Sequence, residues 1–571
     1  MKLVLQYIRK HLGIFLLSML FLSIEAMADL LQPTFMAHIV DDGVKSADFR
    51  QILRYGAIML GIAAAGAVGA VMRNLFASRT SQRIAREVRS DMYRKVQTLS
   101  LENIDRLQPS SIITRITNDV TQIQEFINGM MRIMVKAPIT CVGAIILIVV
   151  QTPRQIPMMV VILAIAGILI AANMKIGYPR FGKLQRALDR LNNVSREFLS
   201  SIRVVKAFNA EKQEGEKFEE ASQNLAGSGV SAMRVMAVFS PLINLTVNMG
   251  IVVLLWLSQR QDSAEIGRLM ASVNYMTQVL FALGMVTNIL NTAVRAMASS
   301  SRISEILEEQ PAQKTAENPL ETEMNGEIVF NDVSFAYAGA GREALQHICF
   351  SVKPGETVGI IGPTGSGKST LVNLVPRFYD ATGGQVLLNG VDVTLMDPEK
   401  LRHAVAVVPQ KALLFSGTIC ENMRWGNERA GQTEIEQAAE IACADGFIRA
   451  SEKGYDTLLG QGGVNLSGGQ KQRLALARAL VCNPRILILD DCTSALDAET
   501  EATVLAGLRR RLEGVTVLLI SQRISTVMQT DRILCLENGR VQGFGTHAEL
   551  MAACSTYRAI YQSQIGGDTN G

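Results

Sequence analysis

The chain has no long block of lysine or arginine of the kind that marks a nucleic-acid tail, and its net charge is only +4 over 571 residues. A nucleic-acid-binding tail is therefore not expected, and no nucleic acid is predicted as a partner. None of its eight cysteines forms a Cys-x-x-Cys pair, so no metal site has spacing to support it. Seven of them, Cys349 to Cys554, fall in the polar second half, as expected of reduced cytosolic thiols. Charge itself is scarce, at 19% of residues against 48% hydrophobic, which points to membrane segments. Lys2, Arg9 and Lys10 precede an apolar run, but no small-residue cleavage site follows. The run also continues too far, so a retained first helix is expected rather than a signal peptide. A chain of this length is too long for one core, and two or more domains are expected.

What is present divides the chain near residue 300. Segments 55–72, 137–153, 155–174, 235–259 and 269–294 contain no Asp, Glu, Lys or Arg. Each reaches or approaches the ~20 residues that cross a hydrocarbon core. A sixth, 12–40, is interrupted by Glu25 and Asp29 but is long enough. Eleven Lys/Arg lie between spans two and three and eleven between four and five, against six in the other loops. That bias places the two long connections, and with six spans both termini, on the cytoplasmic side. The long connections have helical periodicity, so the spans should continue as helices, while Thr152-Pro153-Arg154-Gln155 reads as a tight turn. Residues 308–326, acidic and broken by Pro311 and Pro319, read as a linker. Beyond it, β-rich runs at 327–335, 357–361, 385–388, 404–408, 486–489 and 516–520 alternate with helical stretches, an α/β pattern. The expected organisation is a transmembrane domain at 1–307 and an α/β domain at 327–571.

The strand Val358-Gly359-Ile360-Ile361 leads into Gly362-Pro363-Thr364-Gly365-Ser366-Gly367-Lys368-Ser369, a phosphate loop that opens a helix, with Thr370 next. Backbone N–H groups of Gly365 to Lys368 can cradle a phosphate. The Lys368 ammonium reaches the β/γ oxygens, and the Ser369 hydroxyl can ligate Mg²⁺. Ile486-Leu487-Ile488-Leu489-Asp490 is a second buried strand ending in a metal-side carboxylate. Tyr337 is placed to stack on adenine.

With these residues on one chain, it resembles the ATP-binding cassette transporters along essentially its full length. The resemblance implies that Leu466-Ser467-Gly468-Gly469-Gln470 is the signature motif, which faces the γ-phosphate bound by the other cassette of a head-to-tail dimer. It implies that Gln410 senses that phosphate, contacts the membrane domain and joins Ser369 and Asp490 at Mg²⁺, and that Ser494-Ala495-Leu496-Asp497 crosses the dimer interface. The implied fold is an all-α six-helix exporter-type transmembrane domain followed by an α/β P-loop cassette with a helical subdomain. Segments 101–108 and 201–208 would be coupling helices docking on cassettes, the second on the partner's.

The chain departs from the family pattern at three places. Asp491 stands where the water-orienting glutamate is usual. Its carboxylate sits about 1.3–1.5 Å further back, a shift that can cost ~10²-fold in rate. Gln522 replaces the usual histidine and cannot carry a proton charge. Gln461 and Gly462 replace a usual Glu-Arg pair. The pattern resembles the degenerate-site subunit of heterodimeric, multidrug-type exporters of the bacterial plasma membrane. It implies a non-identical half-transporter as partner and ATP with Mg²⁺ as cofactors. Two alternatives remain: an importer on the exporter-type fold, and an ATP-gated or regulatory subunit.

Glu25 and Asp29 share one helical face. They read either as an acidic cavity lining for cationic amphipathic substrates or as a structural pair for Arg73 or Lys136. Asn244 with Asn248, and Asn274 with Gln278, make polar stripes that face the cavity or a neighbouring helix.

Overall fold

Apolar periodicity builds very long helices in the first half of the chain and a layered sheet in the second. The computed structural model describes residues 1–153, 156–258, 266–314, 316, 318–320, 322–511 and 513–565. It divides into two units, Met1–Lys95 with Ile112–Glu308, and Val96–Ser111 with Glu309–Gly571.

In the first unit, Leu12–Val44, Phe49–Thr98, Pro109–Gln151, Ile156–Ser200 and Glu211–Val253 are long and apolar enough to cross a membrane by length and composition. A further helix, Ile266–Glu308, runs for 43 residues. Phe49–Thr98 has 50 residues, about 75 Å at 1.5 Å per residue, more than twice the hydrocarbon thickness. Arg154 and Gln155 of the expected tight turn, Gln259 at the end of an expected span and Arg260 lie outside the described residues.

Several buried charged groups in this apolar unit are paired. Glu25, buried, accepts from Arg73 Nε at 2.6 Å and from Lys136 Nζ at 2.7 Å. Lys136 also meets Asp29 Oδ2 at 2.8 Å. Both acids thus have the structural partners considered from the sequence, two carboxylates facing two cations. Asp41 accepts from Gly267 N and Arg268 N at 2.7 and 3.0 Å, capping the helix Ile266–Glu308. Further along that helix, Arg302 and Ser299 donate to the buried Asp119.

In the second unit, a six-stranded sheet runs in the order Arg540–Gly545, Arg532–Glu537, Thr357–Ile361, Thr516–Ile520, Ile486–Asp490, Val405–Val408, all parallel except the first. Strands at 345–352, 532–537 and 540–545 had no counterpart in the sequence reading. Alternation along each strand splits the core between two faces. Leu487 and Leu489 join a cluster with the helix Gly468–Val481. Ile486 and Ile488 join one with the antiparallel sheet of Ile328–Phe335, Leu345–Val352 and Gly383–Leu388. Helix Leu101–Leu107 groups with this unit, through Tyr379 Oη donating to Asp105 and Asn103 donating to Glu309.

Replacing Arg73 by Met is expected to destabilise the transmembrane unit by about 3 kcal/mol, because Glu25 then shares one cation with Asp29. The double change Arg73→Met with Glu25→Gln should recover most of that loss. Apparent melting temperatures in lipid nanodiscs check the cycle; additive losses would contradict the pairing.

Candidate functional site

Parallel pairing sets the site. Ile520 lies opposite Asp490 on one side and Ile360 on the other, and Val408 lies opposite Leu489. The strand ends therefore deliver Gly362, Gln410, Asp491 and Gln522 to one carboxyl-terminal edge, the usual ligand edge of such sheets. There Gln410, Asp491 and Gln522 line a cleft of about 640 Å³ with Tyr337, Thr364, Gly365, Gly367, Lys368, Ser369, Thr370 and Asp490.

The phosphate loop turns through Gly365 at φ +80° and Gly367 at φ +99°, backbone angles that favour glycine. Lys368 Nζ donates to the carbonyls of Gly362 and Pro363 at 2.8 and 2.9 Å. Burial lowers its pKa, opposed by the charges of Asp491 and Asp490. Ser369 Oγ donates to Asp490 Oδ1 at 2.9 Å. Burial raises the Asp490 pKa; the Ser369 hydrogen bond opposes this and the Asp491 charge adds to it. Among the described residues, no group of three or more His, Cys, Asp or Glu could hold a metal by itself. The small oxygen set of Ser369, Asp490 and Gln410 fits Mg²⁺ of the kind whose shell is completed by phosphates and water.

Asp491, 5% exposed and in the left-handed region at φ +48°, is held by two amides. Gln410 Nε2 and Gln522 Nε2 donate to the same oxygen, Oδ2, at 3.2 and 3.0 Å. The Gln522 backbone is fixed by Gln564 of the helix Ser555–Ile565, whose Nε2 donates to the Gln522 carbonyl at 2.8 Å. This is an amide–carboxylate–amide clamp. It supplies hydrogen bonds, and neither amide side chain can carry a proton charge.

The Leu466–Gln470 motif is not among the residues lining this cleft. Ser467 caps the helix Gly468–Val481 reciprocally with Gln470. A Cβ at Gly469 would lie 3.1 Å from the Ala495 carbonyl, and Ala495 N donates to Gln472 Oε1 at 3.2 Å. The motif and the loop Ser494–Asp497 thus pack together, and Arg523 Nη2 donates to the Leu496 carbonyl at 3.5 Å. Sequence reasoning missed Arg342, Glu343, Asn538 and Gly539 in the cleft wall. The last two form the Asn-Gly turn between Arg532–Glu537 and Arg540–Gly545, a hairpin signal legible in the chain.

A second cavity, also about 640 Å³, lies in the transmembrane unit. Its wall combines Met36, Met59, Met270, Met285 and Phe281 with Asp29, Lys136, Asn274 and Gln278. Gln278 Nε2 donates to Asn274 Oδ1 at 3.0 Å and to the Asp29 carbonyl at 3.2 Å. Glu25 is outside this wall, in its ion pairs, and Asn244 and Asn248 are exposed positions away from it.

Residues 15–283 match the family described as ABC transporter transmembrane region, and residues 345–494 match the family ABC transporter. The "Uncharacterized ABC transporter ATP-binding protein YfiB" of Bacillus subtilis (strain 168) is 38% identical over 95% of this chain and 95% of its own length. The ATP-dependent lipid A-core flippase of Aromatoleum aromaticum (strain DSM 19018 / LMG 30748 / EbN1) is 32% identical over 98% of this chain and 95% of its own. The structure of a bacterial Atm1-family ABC exporter with ATP bound matches with a TM-score of 0.77 at 25% identity, covering 98% of each chain.

Asp490 titrates higher in the fold than in the unfolded chain. Its cost to stability is absent at low pH, sets in as pH rises through the ordinary carboxyl value and is complete above the folded value. Asp490→Asn should therefore raise the thermal stability of the free protein at neutral pH. It should also weaken binding of the magnesium–ATP complex by about 10- to 100-fold. Calorimetry and nucleotide titration check both signs.

Proposed function

This chain belongs to the ABC transporter family, as an exporter with fused transmembrane and ATP-binding domains, and from that premise we propose that it is one half of a heterodimer whose own ATP site hydrolyses weakly. The observation that carries this reading is the clamp of Gln410 and Gln522 on Asp491. A water-activating carboxylate needs reach toward the γ-phosphate and a neighbour that adapts its charge. Here the shorter side chain is held back by two amides, and neither amide changes protonation.

The phosphate-gripping parts are intact. The N–H groups of Gly365 to Lys368 would cradle the β-phosphate, Lys368 would balance the β/γ charge, and Tyr337 would stack on adenine. Ser369, Asp490 and Gln410 would hold Mg²⁺, which neutralises developing charge on the phosphates. Phosphate would also satisfy Lys368, whose charge burial disfavours. The site would then retain ATP for long periods.

The separation of Leu466–Gln470 from this cleft supports its use in the partner's site, where Ser467, Gly468, Gly469 and the helix start would meet the γ-phosphate. Ser494–Asp497 would cross the interface beside it. The partner would supply the glutamate and histidine, and closing of the paired cassettes on ATP would turn six spans outward.

The membrane cavity supports a reading of the substrate class. Methionine and phenylalanine give it an adaptable apolar wall, with a few polar groups on one side. Asp29 is already paired with Lys136, so the wall is not the acidic surface a cationic substrate alone would favour. A small amphipathic compound fits, and the lipid A-core flippases among the relatives suit an amphipathic cargo. The setting proposed is a bacterial plasma membrane with both termini cytoplasmic.

The chain purified alone should hydrolyse ATP about 10²-fold more slowly than an exporter with the usual glutamate. Asp491→Glu combined with Gln522→His should restore most of that rate, whereas Asp491→Asn in the assembled pair should leave turnover nearly unchanged. A brisk homodimer of the unaltered chain in lipid would refute the division of labour.

A further inference from the structure

One aromatic side chain spans the distance between the cleft and the helix Leu101–Leu107. Tyr337 lines the cleft, with its hydroxyl 3.1 Å from Thr370 Oγ1 beside the phosphate loop. The ring of Tyr379 stands edge-on against Tyr337, centroids 5.4 Å apart at 83°, and also touches Phe335. At its far end, Tyr379 Oη donates to Asp105 Oδ2 at 2.6 Å.

Both ends of this bridge are anchored. Two residues before Tyr379, the buried Arg377 binds Asp380 at 2.8 Å and the carbonyls of Thr394 and Lys314 at 3.1 and 2.9 Å. Two residues before Asp105, the buried Asn103 donates to Glu309 Oε1 at 2.6 Å and to the Gln310 carbonyl at 2.9 Å, and accepts from Ala312 N at 2.8 Å. The chain enters Leu101–Leu107 directly from the long helix Phe49–Thr98 and leaves it into Pro109–Thr114.

We infer that Tyr379 is a positioning residue that couples occupancy of the Tyr337 end of the cleft to the helix Leu101–Leu107, its ring reading Tyr337 and its hydroxyl holding Asp105. A purine stacked on Tyr337 would restrict that ring, and the edge contact passes the restriction to a rigid neighbour. The phenol–carboxylate bond is charge-assisted, short and directional, so it holds Asp105 to one orientation of the Tyr379 ring. Burial and the Asp105 bond both raise the Tyr379 pKa, which keeps the phenol a donor at neutral pH. The inference rests on the reading of the cleft as an ATP site, and not on the heterodimer.

Hydrogen–deuterium exchange tests it on the full chain in nanodiscs, in the assembly in which it purifies, with the magnesium complex of a non-hydrolysable ATP analogue as probe. In the unaltered protein the probe should slow exchange at 362–373 and also at 101–108. Tyr379→Phe keeps the ring and removes the hydroxyl. It should retain protection at 362–373 and lose about fivefold of the probe-dependent protection at 101–108. Asp105→Ala should do the same, and the double variant no more, because both remove one bond. Protection at 101–108 that survives Tyr379→Phe overturns the inference. So does exchange at 101–108 that rises equally with and without probe, which marks a structural bond alone. Absence of protection at 362–373 in the unaltered protein overturns the ATP-site reading and the inference with it.

Discussion

Register in the parallel sheet is the constraint on which the cassette depends. Thr357–Ile361, Thr516–Ile520, Ile486–Asp490 and Val405–Val408 lie side by side and end together. A slip of one residue would turn every side chain to the opposite face and part Asp491 from Gln410 and Gln522. Thr516–Ile520 is buried between apolar clusters on both faces, so close side-chain packing holds the register. Hydrophobic packing far from the phosphate loop thus sets the polar geometry of the cleft.

Within that frame, two amides converge on one carboxylate oxygen. Asp491 Oδ2 takes two amide hydrogen bonds while its backbone holds an uncommon left-handed angle, a combination that marks functional sites. Nearby, Lys368 and Asp490 are both buried against their charge preference. Such an arrangement sacrifices stability of the free protein for readiness toward phosphate and metal.

The transmembrane unit follows a different economy. Glu25 and Asp29 within its first apolar helix are matched by Arg73 and Lys136, two charges against two. Asp29 and Lys136 still reach the cavity wall, so the same pair that satisfies burial also supplies the polar side of a mostly apolar chamber.

What the sequence alone determined is local. Charge-free runs marked the long apolar helices, β-rich runs marked six of the strands, and 362–369 announced a phosphate loop, because each depends on neighbours along the backbone. The chain read by itself could name Asp491, Gln522 and Gln410 as altered or retained positions, yet not their union. Those contacts close over 81 and 31 residues, and sheet register decides them. The partners of Glu25 and Asp29 were open between a cavity and an ion pair until helix packing brought Arg73 and Lys136 alongside. The Tyr379–Asp105 bond, across 274 residues, left no trace in periodicity or spacing. Hydrogen bonds between distant segments cost chain entropy that only the packed core repays, so they exist as properties of the tertiary fold and not of any stretch of sequence.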